Sequence, residues 1–241
     1  MRRNLSLFIN TILLISSATT FYGQSFEVKL SIKNYNNDTI IIGNFYGEKQ
    51  IVKDTLFAER PGKFIWKEDK QPESGMYLAL LKPENTFVQF LVTAHEKSFH
   101  ISFDPKNLAD LKFKNSNENK LFYDYMKFLS EKRVLADTLR SKVARAKANN
   151  TEDIAAQNDL DKLDKEVKSK QAGIISKFPT SMTSFFIKSN IDIDIPEYKG
   201  SPDSIQYQRY FYYKDHYFDN IDMHHPALIR TPFVHPKIDY Y

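Results

Sequence analysis

The spacing of apolar residues changes once along this chain, from two to about 3.6. From Ser25 to about Phe113 the shorter spacing holds. Phe26-Glu27-Val28-Lys29-Leu30-Ser31-Ile32-Lys33 alternates apolar and polar throughout, as a strand with one buried face does. Asn36-Asn37-Asp38 suits a turn with positive φ. Thr39 to Tyr46 predicts a second strand with Gly43 as a bulge, and Ile51 to Ala58 a weaker third. Arg60-Pro61-Gly62-Lys63 turns the chain into Phe64-Ile65-Trp66. The richest stretch runs from Gly75 to Phe103. Met76 to Leu81 and Phe87 to Val92 flank the polar turn Lys82-Pro83-Glu84-Asn85-Thr86, and Phe99 to Phe103 alternates again. These seven short strands, with turn signals between them, predict an antiparallel β-sandwich or barrel. Asp104-Pro105-Lys106-Asn107-Leu108 predicts a helical turn with Asp104 as cap, and Leu111 and Phe113 a last short strand.

The period lengthens after the polar boundary Asn115-Ser116-Asn117-Glu118-Asn119. Leu121, Tyr125, Phe128, Leu135, Leu139 and Val143 fall on one helical stripe. Asn149-Asn150-Thr151 breaks it, with Thr151 the expected cap of the next helix. That helix carries Ile154, Leu160, Leu163, Val167, Ile174 and Phe178 and stops at Pro179, so the pair predicts an antiparallel helical hairpin. A third helix begins near Thr180, and a fourth, rich in tyrosine, spans Ser204 to Asp219. Pro236 suits the first turn of another, ending at Tyr241 after one turn. The expectation is an incomplete helical domain, continued in a longer protein.

The predicted fold class is therefore α+β. An antiparallel β-sandwich over residues 25–114 precedes an all-α domain over residues 115–241. Residues 1–24 are set apart by composition. Arg2 and Arg3 precede an apolar run from Leu5 to Ile15 that is short for a bilayer, followed by small polar residues up to Gln24. This predicts a cleaved signal peptide, a periplasmic or secreted chain, and no integral membrane segment after cleavage. The net charge of +4 falls to +2 when Arg2 and Arg3 are removed, too little to predict a nucleic-acid partner. Zero cysteines exclude lipid attachment through sulfur, disulfides and thiol chemistry in this chain. Fourteen Tyr and nineteen Phe predict a core built largely from rings.

Candidate chemistry is sparse. His216, His224 and His225, with Asp215, Asp219, Asp222 and His235 nearby, offer metal ligands, although capping and surface roles account for them better. Tyr207, Tyr210, Phe211, Tyr213, Tyr217 and Phe218 could line a stacking surface for a glycan or peptide, or a seam between domains. Asp192 and Asp194 read as two outward acids on an extended segment rather than a glycosidase pair. There is no Gly-x-Ser-x-Gly elbow and no phosphate-cradling glycine loop. The residues imply neither a cofactor nor a catalytic centre.

Several segments together carry a likeness to a known family. They are Asp38 to Ile42, Gly47-Glu48-Lys49-Gln50, Gly75-Met76-Tyr77-Leu78, Asn119 to Tyr125, Tyr212 to Asp222, and Arg230-Thr231-Pro232-Phe233. In these the chain resembles the N-terminal region of envelope thioredoxin-like (AhpC/TSA-type) proteins of the Bacteroidetes. There a β domain and a helical domain precede a thiol-disulfide oxidoreductase domain. The Cys-x-x-Cys of that redox domain is absent here, so no catalytic residue carries over. The resemblance implies a non-catalytic accessory region, with the redox domain or its client protein as partner. The alternative is a stand-alone envelope module that binds peptide or glycan.

Overall fold

The computed structural model describes residues 25–83 and 85–241, so the signal peptide read over residues 1–24 lies outside the described residues. The architecture is α+β. The strands are β1 (Phe26–Ile32), β2 (Thr39–Tyr46), β3 (Lys49–Phe57), β4 (Lys63–Glu68), β5 (Gly75–Leu81), β6 (Thr86–Val92), β7 (Ser98–Asp104) and β8 (Asn107–Lys114). They form two four-stranded sheets, ordered β4-β1-β7-β8 and β3-β2-β5-β6. Five helices follow: α1 (Asn117–Ala148), α2 (Ile154–Lys177), α3 (Met182–Ser189), α4 (Pro202–His216) and α5 (His235–Tyr240).

The strands differ from the expected pattern in three ways. β1 pairs with β7 in parallel, aligning Val28 with Phe99 and Leu30 with Ile101. A period of two marks a strand but carries no direction, and β4 already occupies the antiparallel edge of β1. Asp104 begins a hairpin rather than a helical turn, because its carboxylate accepts from the Lys106 N–H at 2.9 Å and its backbone pairs with Asn107. The positive φ near the first turn belongs to Asn34, at 54°, rather than to Asn36-Asn37-Asp38. The bulge expected at Gly43 is present as a register shift between Ile42 and Gly43.

Alternation along β1 puts Phe26, Val28, Leu30 and Ile32 inward, where they meet the inner face of the second sheet. Trp66 on β4 packs against Tyr77 on β5 and Phe90 on β6, with ring centroids 5.2 Å and 6.2 Å apart. β5 is apolar without alternation because both its faces are buried. Tyr77, Ala79 and Leu81 enter the core between the sheets. Met76 and Leu78 enter a second core with Phe122, Met182, Phe185, Phe186, Ala227 and Val234. The helical half therefore covers the outer face of this sheet over β2, β5 and β6, while β3 stays largely exposed.

α1 and α2 form the expected antiparallel hairpin. Tyr125 pairs with Gln171 at 3.0 Å and Lys132 with Glu166 at 2.5 Å. Tyr125, Leu139, Leu163 and Ile174 are buried along the seam, whereas Leu135 remains exposed. The cap of α2 is Asp153, not Thr151. The Asp153 carboxylate accepts from Ala156 N–H at 2.9 Å, while the Thr151 hydroxyl donates back to the Ala146 carbonyl. A carboxylate at that position also meets the positive end of the helix dipole.

α1 is tied to the free edge of β6 by two side chains. The fully buried Asn119 amide donates to the Leu91 carbonyl at 2.8 Å, and its oxygen accepts from the Leu91 N–H at 2.7 Å. Tyr123 donates to the Gln89 carbonyl at 2.6 Å. Residues 89 and 91 share the outward edge, so α1 satisfies the backbone groups a further strand would otherwise pair. Replacing Asn119 by Ala leaves one buried donor and one buried acceptor without partners. The expected loss is roughly 2–4 kcal/mol of folding stability, measured by urea denaturation. A loss below about 1 kcal/mol would show that water substitutes for the amide.

Candidate functional site

The first candidate is a cleft of about 490 Å³ where the β6–β7 loop meets the starts of α1 and α3. His95, Glu96, Glu118, Phe185, Lys188 and His225 are among the residues lining it. Two of its carboxylates, Glu96 and Glu118, are engaged at helix starts, and a third, Asp222, accepts from the His224 N–H at 2.9 Å. Glu96 accepts from the backbone N–H groups of Asn117 and Glu118 at 2.7 and 3.0 Å and from the Ser116 hydroxyl at 2.5 Å. Glu118 in turn accepts from the Met182 and Thr183 N–H groups and the Thr183 hydroxyl. Each of these two glutamates meets the donors and the positive dipole of a helix start. Ser181 caps α3 by accepting from Ser184 N–H at 3.0 Å. These contacts build the junction and leave neither glutamate poised as a general base.

His225 stands on the cleft wall with its ring stacked on Phe185, centroids 3.9 Å apart and planes 2° apart. Its Nδ1 accepts from the Ala227 N–H at 3.2 Å, which places the ring proton on Nε2 when the imidazole is neutral. Burial holds its pKa below the ordinary value, opposed in part by Asp222. The other two histidines of the expected cluster point elsewhere. His216 Nδ1 lies 2.6 Å from Asp219 Oδ2, with its ring over Tyr212. The His224 side chain is fully exposed, and its Nδ1 is 4.0 Å from Asp222. The structure does not bring His216, His224 and His225 together as ligands: His216 ends α4, whereas His224 and His225 lie in the turns that follow. Among the described residues the grouping with metal-ligand geometry is Glu48, His235 and Asp239, their ligating atoms all within 4.8 Å of one another. His235 and Asp239 are one helical turn apart, a spacing visible in the sequence, but Glu48 comes from the β2–β3 turn and only folding delivers it.

The second candidate is α4. Pro202 starts this helix and Ser201 caps it, earlier than the Ser204 start expected. None of its residues is buried. Tyr207, Tyr210 and Phe211 lie three and four positions apart, hence on one face, and are 64%, 56% and 43% exposed. Their rings touch one another, with Tyr207–Phe211 centroids 4.4 Å apart and Tyr210–Phe211 centroids 5.3 Å apart. Tyr217 does not join this surface. It is 8% exposed and packs against Tyr213, Tyr240 and Tyr241. Tyr213 is half-buried beside it. The expected aromatic surface thus divides into an exposed patch and an internal stack. Asp192 and Asp194 are exposed, as expected, on a segment outside the named helices and strands.

Segments far apart in sequence meet behind these sites. Gly47 N–H donates to the Ile229 carbonyl at 2.6 Å, and Met76 N–H to the Arg230 carbonyl at 2.8 Å. Gly75 permits this approach, since a Cβ there would lie 2.5 Å from Arg230 Cβ. Arg230 also reaches Glu73 at 3.3 Å. The Gly47, Gly75 and Arg230 segments are therefore structural contacts between the second sheet and the C-terminal segment.

Comparison with family models, curated proteins and solved structures finds no match in any of the three. Among the described residues no helix is long and apolar enough to cross a membrane.

His100, which contacts the Ser31 hydroxyl at 2.7 Å, is also held below its ordinary pKa, by burial and then by Lys63, Lys114 and Lys29. For His100 and His225 alike the ordinary value is 6.5. As pH falls, the unfolded chain takes up these protons before the folded chain does. The two rings therefore cost nothing above about pH 6.5 and lower stability progressively below it. The melting temperature is expected to drop between about pH 7.5 and pH 5, and to drop less in His225→Gln. An equally steep drop in His225→Gln would remove His225 from this account.

Proposed function

We propose that this chain is a non-catalytic partner-binding region of the bacterial envelope. On the resemblance, it is the accessory part of a thioredoxin-like thiol-disulfide oxidoreductase, holding the redox domain or recognising its client protein. In this reading the two sheets form a β-sandwich and the segment from Asn117 onward a helical domain that presents the docking surface. The observation that carries the proposal is the ring face of α4. A helix with no buried residue and three touching, exposed rings leaves apolar area in water that a partner would cover. Tyrosine suits such a face, because it brings a large ring and a polar tip at low entropic cost. Further support comes from the cleft, whose Glu96 and Glu118 serve as helix caps, and from a chain with zero cysteines. The same rings would also stack on a sugar or an extended peptide, which is the alternative reading.

The test uses a Cys-x-x-Cys thioredoxin-like domain from an envelope protein of this type, titrated into the chain by calorimetry. Binding is expected, and at least about tenfold weaker binding to a Tyr207→Ser/Tyr210→Ser/Phe211→Ser variant. That variant should keep its folding stability within about 0.5 kcal/mol, since the three rings support no core. Absence of binding to the unaltered chain would overturn the redox-accessory reading. Binding of an oligosaccharide or peptide panel, lost in the same variant, would establish the alternative instead.

A further inference from the structure

We propose that Glu48, His235 and Asp239 form a divalent-metal site of the zinc class, closing the β2–β3 turn onto α5. His235 and Asp239 lie four residues apart and so face the same side of α5. Glu48 reaches them from the turn between β2 and β3. His235 Nδ1 is 3.3 Å from Glu48 Oε1 and 3.1 Å from Asp239 Oδ2. Zinc–nitrogen and zinc–oxygen bonds of about 2.0–2.2 Å at tetrahedral angles put neighbouring ligand atoms roughly 3.3–3.5 Å apart. Ligand atoms all within 4.8 Å of one another need only side-chain adjustment to meet that geometry. Two carboxylates this close to each other repel, and a cation between them relieves the repulsion.

The backbone holds the turn in place for this contact. Gly47 has φ +59°, and its N–H donates to the Ile229 carbonyl at 2.6 Å. A Cβ on Gly47 would stand 3.1 Å from His235 Cδ2, so the glycine is what lets the imidazole lie against the turn. The side chains of Glu48, His235 and Asp239 are 64%, 37% and 54% exposed, which gives an ion a route in and leaves its remaining positions to water. One imidazole and two carboxylates, with no sulfur, suit zinc, with manganese bound more weakly. The consequence of binding is mechanical. The ion would join the second sheet to the C-terminal segment and stabilise the folded chain by mass action.

Calorimetry with zinc chloride on the untagged chain tests the proposal. One bound ion per chain is expected, with affinity at least about tenfold lower in Glu48→Gln and in His235→Ala. Zinc should also raise the melting temperature of the unaltered chain but not that of Glu48→Gln. Glu48 lies in an exposed turn, so this variant folds, which circular dichroism verifies. His216→Ala should bind zinc as the unaltered chain does. No zinc binding by the unaltered chain, full binding by Glu48→Gln, or loss of binding in His216→Ala would each overturn the proposal, the first leaving a hydrogen-bonded ion pair only.

Discussion

β5, inside the β3-β2-β5-β6 sheet, is hydrophobic on both faces, and much of this molecule follows from that constraint. β5 cannot leave either face to water: Tyr77 and Leu81 need the first sheet, while Met76 and Leu78 need the helices. The free edge of β6 raises the same demand in hydrogen bonds. Asn119 and Tyr123 meet it by pairing with the backbone of Leu91 and Gln89. A buried edge without such partners would cost more than most single contacts contribute. The helical half is accordingly part of the β half's stability.

Polar groups at the junction are used economically. Glu96 serves the start of α1, and Glu118, itself in the first turn of α1, serves the start of α3. Two helix dipoles thus end on carboxylates from neighbouring elements, which fixes the angle at which each helix leaves the sheet. Two glycines play a comparable part for the C-terminal segment. Gly75 and Gly47 let the backbone at Ile229 and Arg230 come within hydrogen-bonding distance of the second sheet. Buried hydrogen bonds gather in this junction, whereas the α4 rings and the Glu48, His235 and Asp239 group are more exposed.

Several short segments far apart in the chain meet behind the exposed features. The Gly47, Gly75, Asn119 and Arg230 segments converge on one seam between sheet and helices. Residues in such a seam are constrained by packing and by backbone approach rather than by chemistry. The ring face of α4 is under no such constraint, since among the described residues none on α4 is buried.

Hydrophobic spacing determined the strand-rich first half, the helical hairpin and the change of period near Asn117, and a glycine within a strand pattern marked the bulge at Gly43. These are local properties, set by which residues must leave water on a repeat of two or 3.6. Only the tertiary structure decided that β1 and β7 run parallel, because alternation has no direction. It alone separated buried Tyr217 from exposed Tyr207, Tyr210 and Phe211, since a helix of rings offers every face to a core and long-range contacts choose among them. It parted His216, His224 and His225, which are neighbours in sequence, and set Glu48 beside His235 and Asp239. Proximity along a chain reports spacing on one element. Convergence of ligands depends on how separate elements pack, and no local pattern encodes that.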